Sequence, residues 1–408
     1  MTTPPTTRTE MNMKTWMMSM TWLGMAFGLI AGGVTLAAET EPAKPGAVAA
    51  APGAADAAGV LVAGEPPTIH FTRGTEADFQ ALLDKMPEGA VVVCKQTEPL
   101  VVSKSLIIRK RIILRGLKAN LPEKVEKTPI LIVDAKGVAL ADLEMHGNYN
   151  SVDQKDRAPL IHIKRGDFCI EQCKFFDGSK DGIMVTPDDG TEDIVGGAIR
   201  DIEGTRIGRD LVSLGGGCKG LRIRNVTVEN VSLKKGYFRG AVEISDGTDN
   251  ITVRHVYAED AVYAFDVQDH GGPSAPNTRI VLEDATAVRC KHIIRTLNSP
   301  KYKHADLTLR NFVARDCTNP VQISNTTHVR IEGLTIRNET PAGISPINLR
   351  NVHDVVIRNV TVNGLREGVD VAQAVESTDV TIDAVTRDGK EVEKPTIGTP
   401  EKKEKRKK

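Results

Sequence analysis

Aromatic side chains are scarce in this sequence: Phe, Trp and Tyr make up 4% of its 408 residues. A surface on which successive nucleic-acid bases stack needs several exposed rings, so the composition argues against that class of protein. Net charge is lacking too, because 53 basic and 53 acidic side chains cancel. Bulk binding of nucleic acid would require a basic balance. We therefore predict no nucleic-acid partner.

Most of the chain also lacks the pattern of a regular helix. A short apolar–polar–apolar sequence motif recurs there instead. Its clearest copy is the octapeptide 221–228, in which Asn225 would turn the chain between two short strands. Repeats of this length mark solenoids, propellers or arrays whose units bury their apolar faces by stacking. The copies are rich in β-branched residues with period-two alternation, so we predict a coil of short strands with about eleven rungs. The inward residues before the turns recur at intervals of 22 to 30 residues, at Leu114, Leu140, Ile170, Ile199, Ile223, Val253, Leu282, Leu309, Ile331, Ile357 and Ile382.

Cysteine is sparse, and its spacing matches neither a disulfide framework nor a zinc site. Six cysteines are present. Cys290 and Cys317 each lie eight residues beyond an inward residue, Leu282 and Leu309 respectively. We therefore predict that both are thiols buried in the core.

The two ends of the chain differ in composition from the repeats. Residues 1–38 contain a long apolar run followed by small residues, which is typical of a cleaved signal peptide; an uncleaved membrane anchor is the alternative. An Ala/Pro-rich linker follows over 39–67, and a Lys/Glu-rich tail over 388–408 is expected to be disordered. These limits leave a repeat domain over 68–387. They also predict a secreted, periplasmic or cell-envelope protein with no membrane span after cleavage.

One amphipathic helix is expected at the start of the repeat domain. Thr75 and Asp78 match a capping box, and apolar residues follow from Phe79 to Met86 at helical spacing. A lone helix before a strand solenoid is best explained as a cap that covers the open end of the first rung. The predicted fold class is therefore all-β, a single-stranded parallel β-helix with an N-terminal capping helix.

The start of the domain also resembles a known group of proteins. Residues 79–83 (Phe-Gln-Ala-Leu-Leu), 87–93 (Pro-Glu-Gly-Ala-Val-Val-Val) and 112–116 (Ile-Ile-Leu-Arg-Gly) resemble the entry to right-handed parallel β-helix proteins of the pectate lyase and polygalacturonase type. The resemblance covers about residues 68–385. It implies a right-handed coil and polysaccharide as substrate or partner, with a groove beside the third strand of each rung. It implies no single activity, because many chemistries share this scaffold.

Alternation within that third strand predicts a column of outward side chains. The column runs His162, Met184, Ser213, Glu243, Asp266, Arg295, Gln322, Asn348 and Asp370, and a companion column two residues later contains Arg350. Glu243 and Asp266 would stack about 4.8 Å apart and repel unless a cation neutralises them. Calcium, a hard cation that prefers oxygen ligands, would fit these two carboxylates. The simpler alternative is a charge ladder in which Arg295 satisfies Asp266.

Two longer insertions lie near the middle of the same face. One carries Lys235, Tyr237 and Arg239, and the other carries His270. Extra loop length on one face of a solenoid is typical of a binding site. We therefore predict that Glu243, Tyr237, His270, Lys235 and Arg350 contact substrate.

The polygalacturonase motifs are only partly present. Residues 179–183 resemble the family's Asn-Thr-Asp-Gly stretch and would place a catalytic carboxylate at Asp181. Residues 208–212 resemble Gly-Asp-Asp-Cys-Ile, but Arg209 replaces the first Asp, so only Asp210 matches. The family's Gly-His-Gly histidine and Arg-Ile-Lys pair have no counterparts. Both aspartates could instead be turn-capping residues.

The sequence thus favours an exported monomer that acts on a uronate-containing polysaccharide by lyase-type β-elimination. In this interpretation Glu243 and Asp266 bind a cation or a substrate carboxylate, and Arg295 or Arg239 acts as base or charge stabiliser. A non-catalytic glycan-binding module is the alternative. A hydrolase that uses Asp181 and Asp210 is the third possibility.

Overall fold

The computed structural model describes residues 66–149, 153–187, 191–217, 220–270, 275–297, 304–392 and 397–398. These residues belong to one compact unit, Gly64–Lys408. The predicted signal peptide and all but the last two residues of the predicted linker lie outside them, so export stays a prediction. Within the described part of the chain, no helix is long and apolar enough to cross a membrane.

The predicted capping helix is present and begins where the sequence indicates. It spans Glu76–Lys85, with Thr75 as N-cap and a capping box closed by Asp78. Its apolar face is buried through Phe79 and Leu83. On another face the amide of Gln80 accepts a hydrogen bond from the Ile107 N–H (2.7 Å) and donates one to the Ile107 carbonyl (3.0 Å). The helix therefore satisfies backbone groups at the open edge of the first rung, as a cap should.

Two sheets, parallel except at one C-terminal strand, make up most of the rest of the described residues. The first contains one strand from each rung, twelve in all, and these are Leu106–Ile108, Leu131–Val133, Ile161–Ile163, Ile183–Val185, Val212–Gly215, Val242–Ser245, Tyr263–Gln268, His292–Leu297, Val321–Ser324, Ile347–Arg350, Ala372–Val375 and Ile397–Gly398. The second contains seventeen strands, namely Thr68–Phe71, Val91–Cys94, Leu100–Val101, Ile113–Arg115, Lys118–Asn120, Ala139–Ala141, Glu144–His146, Phe168–Phe176, Ile194–Ile207, Ile223–Gly236, Thr248–Glu259, Thr278–Val288, His304–Arg315, Thr326–Ala342, His353–Leu365, Thr378–Arg387 and Lys390–Val392. A 3₁₀ turn lies at Gln154–Asp156. The structure is a parallel β-solenoid of about twelve rungs, which confirms the predicted fold class.

One of the predicted inward residues, Ile223, belongs to a different column. Ile199 pairs with Val228, which pairs with Val253, whereas Ile223 lies between Ile194 and Thr248. The error arose because left-handed residues recur five positions apart within one rung, as at Asn225 (φ 57°) and Asn230 (φ 54°). Short polar side chains such as Asn tolerate that conformation, and both sites follow the same apolar–polar pattern.

The structure differs from the prediction at two further places near the C-terminal end of the solenoid. Asn348 pairs with Gln373, so the predicted outward residue Asp370 does not belong to the column. Lys390–Val392 pairs antiparallel with Val385–Arg387, so ordered structure continues beyond the predicted boundary at 387. Cys290 and Cys317 are buried free thiols, as expected.

Candidate active site

Four neighbouring strands of the twelve-stranded sheet present the predicted charged column. Ser213 pairs with Glu243, Glu243 with Asp266, and Asp266 with Arg295. The parallel register therefore stacks two carboxylates on successive rungs, as the alternation pattern predicts. Both carboxylates are almost fully buried, at 1% exposure for Glu243 and 0% for Asp266. Buried charges of this kind need partners.

Glu243 is surrounded by donors from four other residues. Its Oε2 accepts hydrogen bonds from Ser213 Oγ (2.8 Å) and Arg209 Nη2 (3.3 Å). Its Oε1 accepts hydrogen bonds from Arg239 and Gln268. Two guanidinium groups therefore share this one carboxylate, and their charge-assisted hydrogen bonds fix its orientation.

Asp181 and Asp210 form a ladder at the corners where the chain enters these strands. Asp181 Oδ1 accepts a hydrogen bond from the Asp210 N–H (3.2 Å). Asp210 Oδ1 accepts one from the Gly240 N–H (3.2 Å) and one from the Tyr263 hydroxyl (2.7 Å). The turn-capping role is therefore present for both residues. The second oxygen, Oδ2, of each carboxyl is buried and makes no hydrogen bond.

Burial dominates the electrostatics of this ladder. It raises the pKa of Asp181, although Arg209 and Lys180 oppose the shift. It raises the pKa of Asp210 well above the ordinary value of 3.8, and the nearby carboxylates of Glu243 and Asp181 add to the shift. Both carboxyls therefore hold a proton more readily than an exposed aspartate, which is typical of a general acid.

Asp266 and Arg295 form an ion pair that Tyr263 covers. Arg295 Nη2 lies 2.6 Å from Asp266 Oδ2, and its guanidinium carbon lies 4.5 Å from the centre of the Tyr263 ring. Burial raises the pKa of Asp266 against the opposing effect of Arg295. Burial would lower the pKa of the Arg295 guanidinium, but the hydrogen bond and charge of Asp266 outweigh burial and raise it. The simpler alternative from the sequence, in which Arg295 satisfies Asp266, is the arrangement observed.

His270 and Asp246 form a second pair at the edge of the site. The imidazole Nδ1 lies 2.8 Å from Asp246 Oδ2, and the His270 N–H donates to Asp246 Oδ1 (2.8 Å). His270 Nε2 lies 3.7 Å from Glu243 Oε1. The hydrogen bond with Asp246 raises the pKa of His270 despite partial burial. Burial would raise the pKa of Asp246, but the hydrogen bonds from His270 outweigh it and lower the value.

A cleft of about 180 Å³ opens over these groups. Its lining includes Asp181, Glu243, Asp246, His270 and two cations, Lys180 and Arg209. The cleft therefore combines a floor of buried carboxyl groups with positive charge at its margin. Such an arrangement can bind an anionic sugar and exchange protons with it.

Of the ten predicted site residues, three line this cleft: Asp181, Glu243 and His270. Asp210, Arg239, Asp266 and Arg295 belong to the network of ion pairs beside it. The remaining three do not belong to that network. Lys235 is an exposed left-handed residue in Ile223–Gly236, on the other sheet. Arg350 ends the strand Ile347–Arg350, two strands beyond His292–Leu297. Tyr237 lies in an aromatic cluster beside Arg239.

Five residues of the site were not predicted as such from the sequence: Lys180, Arg209, Ser213, Asp246 and Gln268. The sequence did contain a pattern that could have identified the cations. Asp181, Asp210 and Gly240 occupy equivalent corners of successive rungs, 29 and 30 residues apart. A cation directly precedes each of them: Lys180, Arg209 and Arg239. Two of these three cations contact Glu243. The equivalence becomes visible only once the rungs are in register.

The calcium site at Glu243 and Asp266 stays a prediction. Arg239 and Arg295 already occupy positions beside these carboxylates. A cation would have to displace a guanidinium group before it could bind there. Across the described ranges, no group of three or more His, Cys, Asp and Glu side chains has an arrangement suited to a metal ion.

Comparison with known proteins places the fold but not the chemistry. Neither a protein-family model nor a curated protein matches the sequence. Solved structures do match: a Thermotoga maritima exopolygalacturonase (11% identity, TM-score 0.54, 80% of this chain and 93% of that one) and the Azotobacter vinelandii mannuronan C-5 epimerase AlgE4 A-module (12%, 0.57, 78% and 93%). A GH87 α-1,3-glucanase catalytic unit from Streptomyces thermodiastaticus also matches (13%, 0.50, 80% and 69%). The chain therefore has a right-handed parallel β-helix fold similar to that of these three structures.

Proposed function

We propose that this protein hydrolyses a glycosidic bond in an anionic, uronate-containing polysaccharide bound in the cleft. One observation carries the proposal. Asp181 and Asp246 line the same cleft, and their surroundings shift their pKa values in opposite directions. A protonated carboxyl beside an ionised one is the pair that acid–base cleavage of a sugar linkage requires.

The margin of the cleft favours an anionic substrate. Lys180, Arg209 and His270 contribute positive charge, and the raised pKa of His270 extends its charged state toward neutral pH. A uronate carboxylate would be attracted to this margin and hydrogen-bonded by it. A neutral glycan would gain less from the same groups.

The two carboxyls have different roles in the proposed reaction. Asp181 donates its proton to the glycosidic oxygen as the bond from that oxygen to the anomeric carbon breaks. Asp246 accepts a proton from the water whose oxygen bonds to the anomeric carbon. His270 orients Asp246 through its two hydrogen bonds, and Glu243 holds Arg209 and Arg239 at the cleft.

The β-elimination mechanism favoured by the sequence uses Arg295 or Arg239 either as the base that removes the C5 proton or as a charge stabiliser. The surroundings of the two arginines argue against the role of base. Burial would lower the pKa of both guanidinium groups, but the adjacent carboxylates outweigh it and raise both values. An arginine that holds its proton this firmly stabilises charge rather than removing protons. The proposed hydrolysis does not require an arginine to remove a proton, because Asp246 accepts the proton from water.

The comparisons support only the broader class. Three of the matching structures are named as an exopolygalacturonase, a mannuronan C-5 epimerase and an α-1,3-glucanase. All three names refer to action on polysaccharides, and two of them denote glycan-cleaving enzymes. At this level of identity the names guide the choice of test substrates.

The test is to incubate the protein with polygalacturonate, alginate and neutral glucans, following both reducing ends and the ultraviolet absorbance of unsaturated products. We expect new reducing ends without absorbance from a uronate polymer. Asp181→Asn should lower the rate at least a hundredfold, since general acid catalysis contributes about 10²–10⁴-fold. Asp249→Asn is the matched control, because Asp249 is a buried aspartate of the other sheet that pairs with Arg279.

Absorbing products would indicate elimination and contradict hydrolysis. Binding of polymer without any product would favour the non-catalytic module. An Asp181→Asn variant as active as Asp249→Asn would remove Asp181 from the mechanism.

A further inference from the structure

A small aromatic cluster lies next to the cleft and takes no part in the proposed chemistry. The rings of Tyr149 and Tyr237 stack with centroids 4.1 Å apart at 8°. Phe238 tilts against Tyr149 at 6.3 Å and 41°. The guanidinium of Arg157 lies 5.2 Å from the centres of both the Tyr149 and Phe238 rings. These four residues are called the aromatic platform below.

The platform is exposed in a chain that has few aromatic residues. Tyr237 is 41% exposed and Phe238 54%, and they are the only aromatics among the exposed large apolar side chains of the described ranges. Adjacent exposed rings forgo the burial free energy that most large apolar side chains gain on folding. Clustered exposure of this kind marks a binding surface rather than ordinary surface composition.

The guanidinium group of Arg157 has a donor that is not used within the described part of the protein. Its Nε is buried and makes no hydrogen bond, and within the described ranges the side chain forms no ion pair. A planar guanidinium fork fits a carboxylate through two parallel hydrogen bonds. The platform therefore joins apolar ring faces to an unpaired donor suited to an anion.

The backbone fixes the platform relative to the cleft. The Tyr149 N–H donates to the Asp177 carbonyl (2.9 Å), and the Tyr237 N–H donates to the Ile207 carbonyl (3.1 Å). Phe238 directly precedes Arg239, whose Nη1 donates a hydrogen bond to Glu243, a residue of the cleft lining. The Cα atoms of consecutive residues such as Phe238 and Arg239 are about 3.8 Å apart. The platform is therefore close enough to the cleft for one polysaccharide chain to contact both.

We infer that the aromatic platform is a sugar subsite that stacks one pyranose ring of an anionic polysaccharide and binds its carboxylate through Arg157. The inference rests on the proposed function for the class of substrate. A pyranose ring presents a C–H face that packs on an aromatic ring, while its polar groups stay at the edge. Tyr237 and Phe238 supply that contact, and Arg157 distinguishes a uronate from a neutral sugar.

Calorimetric titration with a galacturonate hexamer and a neutral glucose hexamer tests the inference. Tyr237→Ala and Phe238→Ala should each weaken hexauronate binding about tenfold, equivalent to about 1.4 kcal/mol. Arg157→Gln should weaken the hexauronate by a similar factor and leave the neutral hexamer unchanged. Tyr257→Ala is the matched control, because Tyr257 is a half-buried tyrosine on the strand Thr248–Glu259 of the other sheet.

The outcomes separate the subsite from the catalytic proposal. If the platform variants lose affinity while wild-type protein cleaves no polymer, the subsite stands and hydrolysis fails. If wild-type protein cleaves polymer and the platform variants bind like Tyr257→Ala, the subsite is wrong. A wild-type protein that binds neither hexamer would also overturn the subsite. An Arg157→Gln variant that weakens both hexamers equally would refute the role of Arg157 in charge selection.

Discussion

The Tyr263 hydroxyl donates a 2.7 Å hydrogen bond to Asp210 Oδ1, although 53 residues separate the two in the chain. Both side chains are fully buried. Tyr263 also lies against the Arg295 guanidinium, so a single ring links the aspartate ladder to the Asp266–Arg295 ion pair. The corner ladder and the outward column therefore form one connected network.

Tyr263→Phe should destabilise the protein while leaving the apolar packing of the ring intact. Asp210 would lose one donor in a site that water does not reach, at a cost of about 1–3 kcal/mol. Urea denaturation followed by circular dichroism measures the change in unfolding free energy. Tyr257→Phe removes a hydrogen bond to the half-exposed Glu259 and should cost less; equal losses in the two variants would contradict the prediction.

Asp210 should make the folded state less stable as pH rises. Its folded-state pKa lies above the ordinary 3.8, so the folded protein binds the proton more tightly than the unfolded chain. The stabilisation from this group is fully present below about pH 3.8 and is lost as pH rises through the folded-state pKa. Asp210→Asn keeps an oxygen acceptor without titrating, so thermal unfolding should show a smaller fall in midpoint between acidic and alkaline buffers. A slope identical to wild type would argue that Asp210 titrates normally.

Removing Arg295 should be far more damaging than removing an exposed arginine. Arg295→Ala leaves the fully buried Asp266 without its cation, and breaking such a buried pair costs about 3–5 kcal/mol. Arg310→Ala, which breaks an exposed pair with Glu283 on the other sheet, should cost about 0–1 kcal/mol. Chemical denaturation of both variants makes the comparison. Similar losses would mean that the Asp266–Arg295 pair contributes no more than a surface ion pair.

Binding of an anionic oligosaccharide should weaken as pH rises through the pKa of His270. That pKa is raised above the ordinary 6.5 by Asp246, so the imidazole is positive below it and neutral above it. The lowered pKa of Asp246 keeps that carboxylate ionised across the same range. Titrations between about pH 6 and about pH 9 should show a fall in affinity that His270→Gln abolishes. His328→Gln, at an exposed histidine beside Asp306, should retain the wild-type profile.

A chelator should leave the thermal midpoint and any polysaccharide-cleaving activity unchanged. Guanidinium groups already neutralise Glu243 and Asp266, so no cation is needed to keep the two carboxylates together. Calorimetry with EDTA, followed by added calcium, tests this expectation. A midpoint that falls with EDTA and recovers with calcium would support the calcium site instead, provided that Glu243→Gln removes the response.

Much of the site could be placed from the sequence because strand alternation has a period of two. That period assigns Ser213, Glu243, Asp266 and Arg295 to one column, and the structure pairs them in register. The same reasoning could not identify Asp246 or Arg209 as site residues. Asp246 lies just after its strand, where period two no longer applies, and Arg209 lies at a corner before its strand. Their side chains reach the cleft only through the path of the loops.

The sequence by itself determined the solenoid, the capping helix and the outward column, because all three follow from local periodicity and capping chemistry. Tertiary structure alone decided which of two similar turns defines each column, since Ile223 and Val228 look alike locally and only the pairing with Ile199 separates them. It alone decided that the carboxylates are buried beneath arginines, because burial and charge pairing depend on residues from several rungs. For the same reason it alone decided that Asp181 and Asp246 share a cleft while their pKa values move apart.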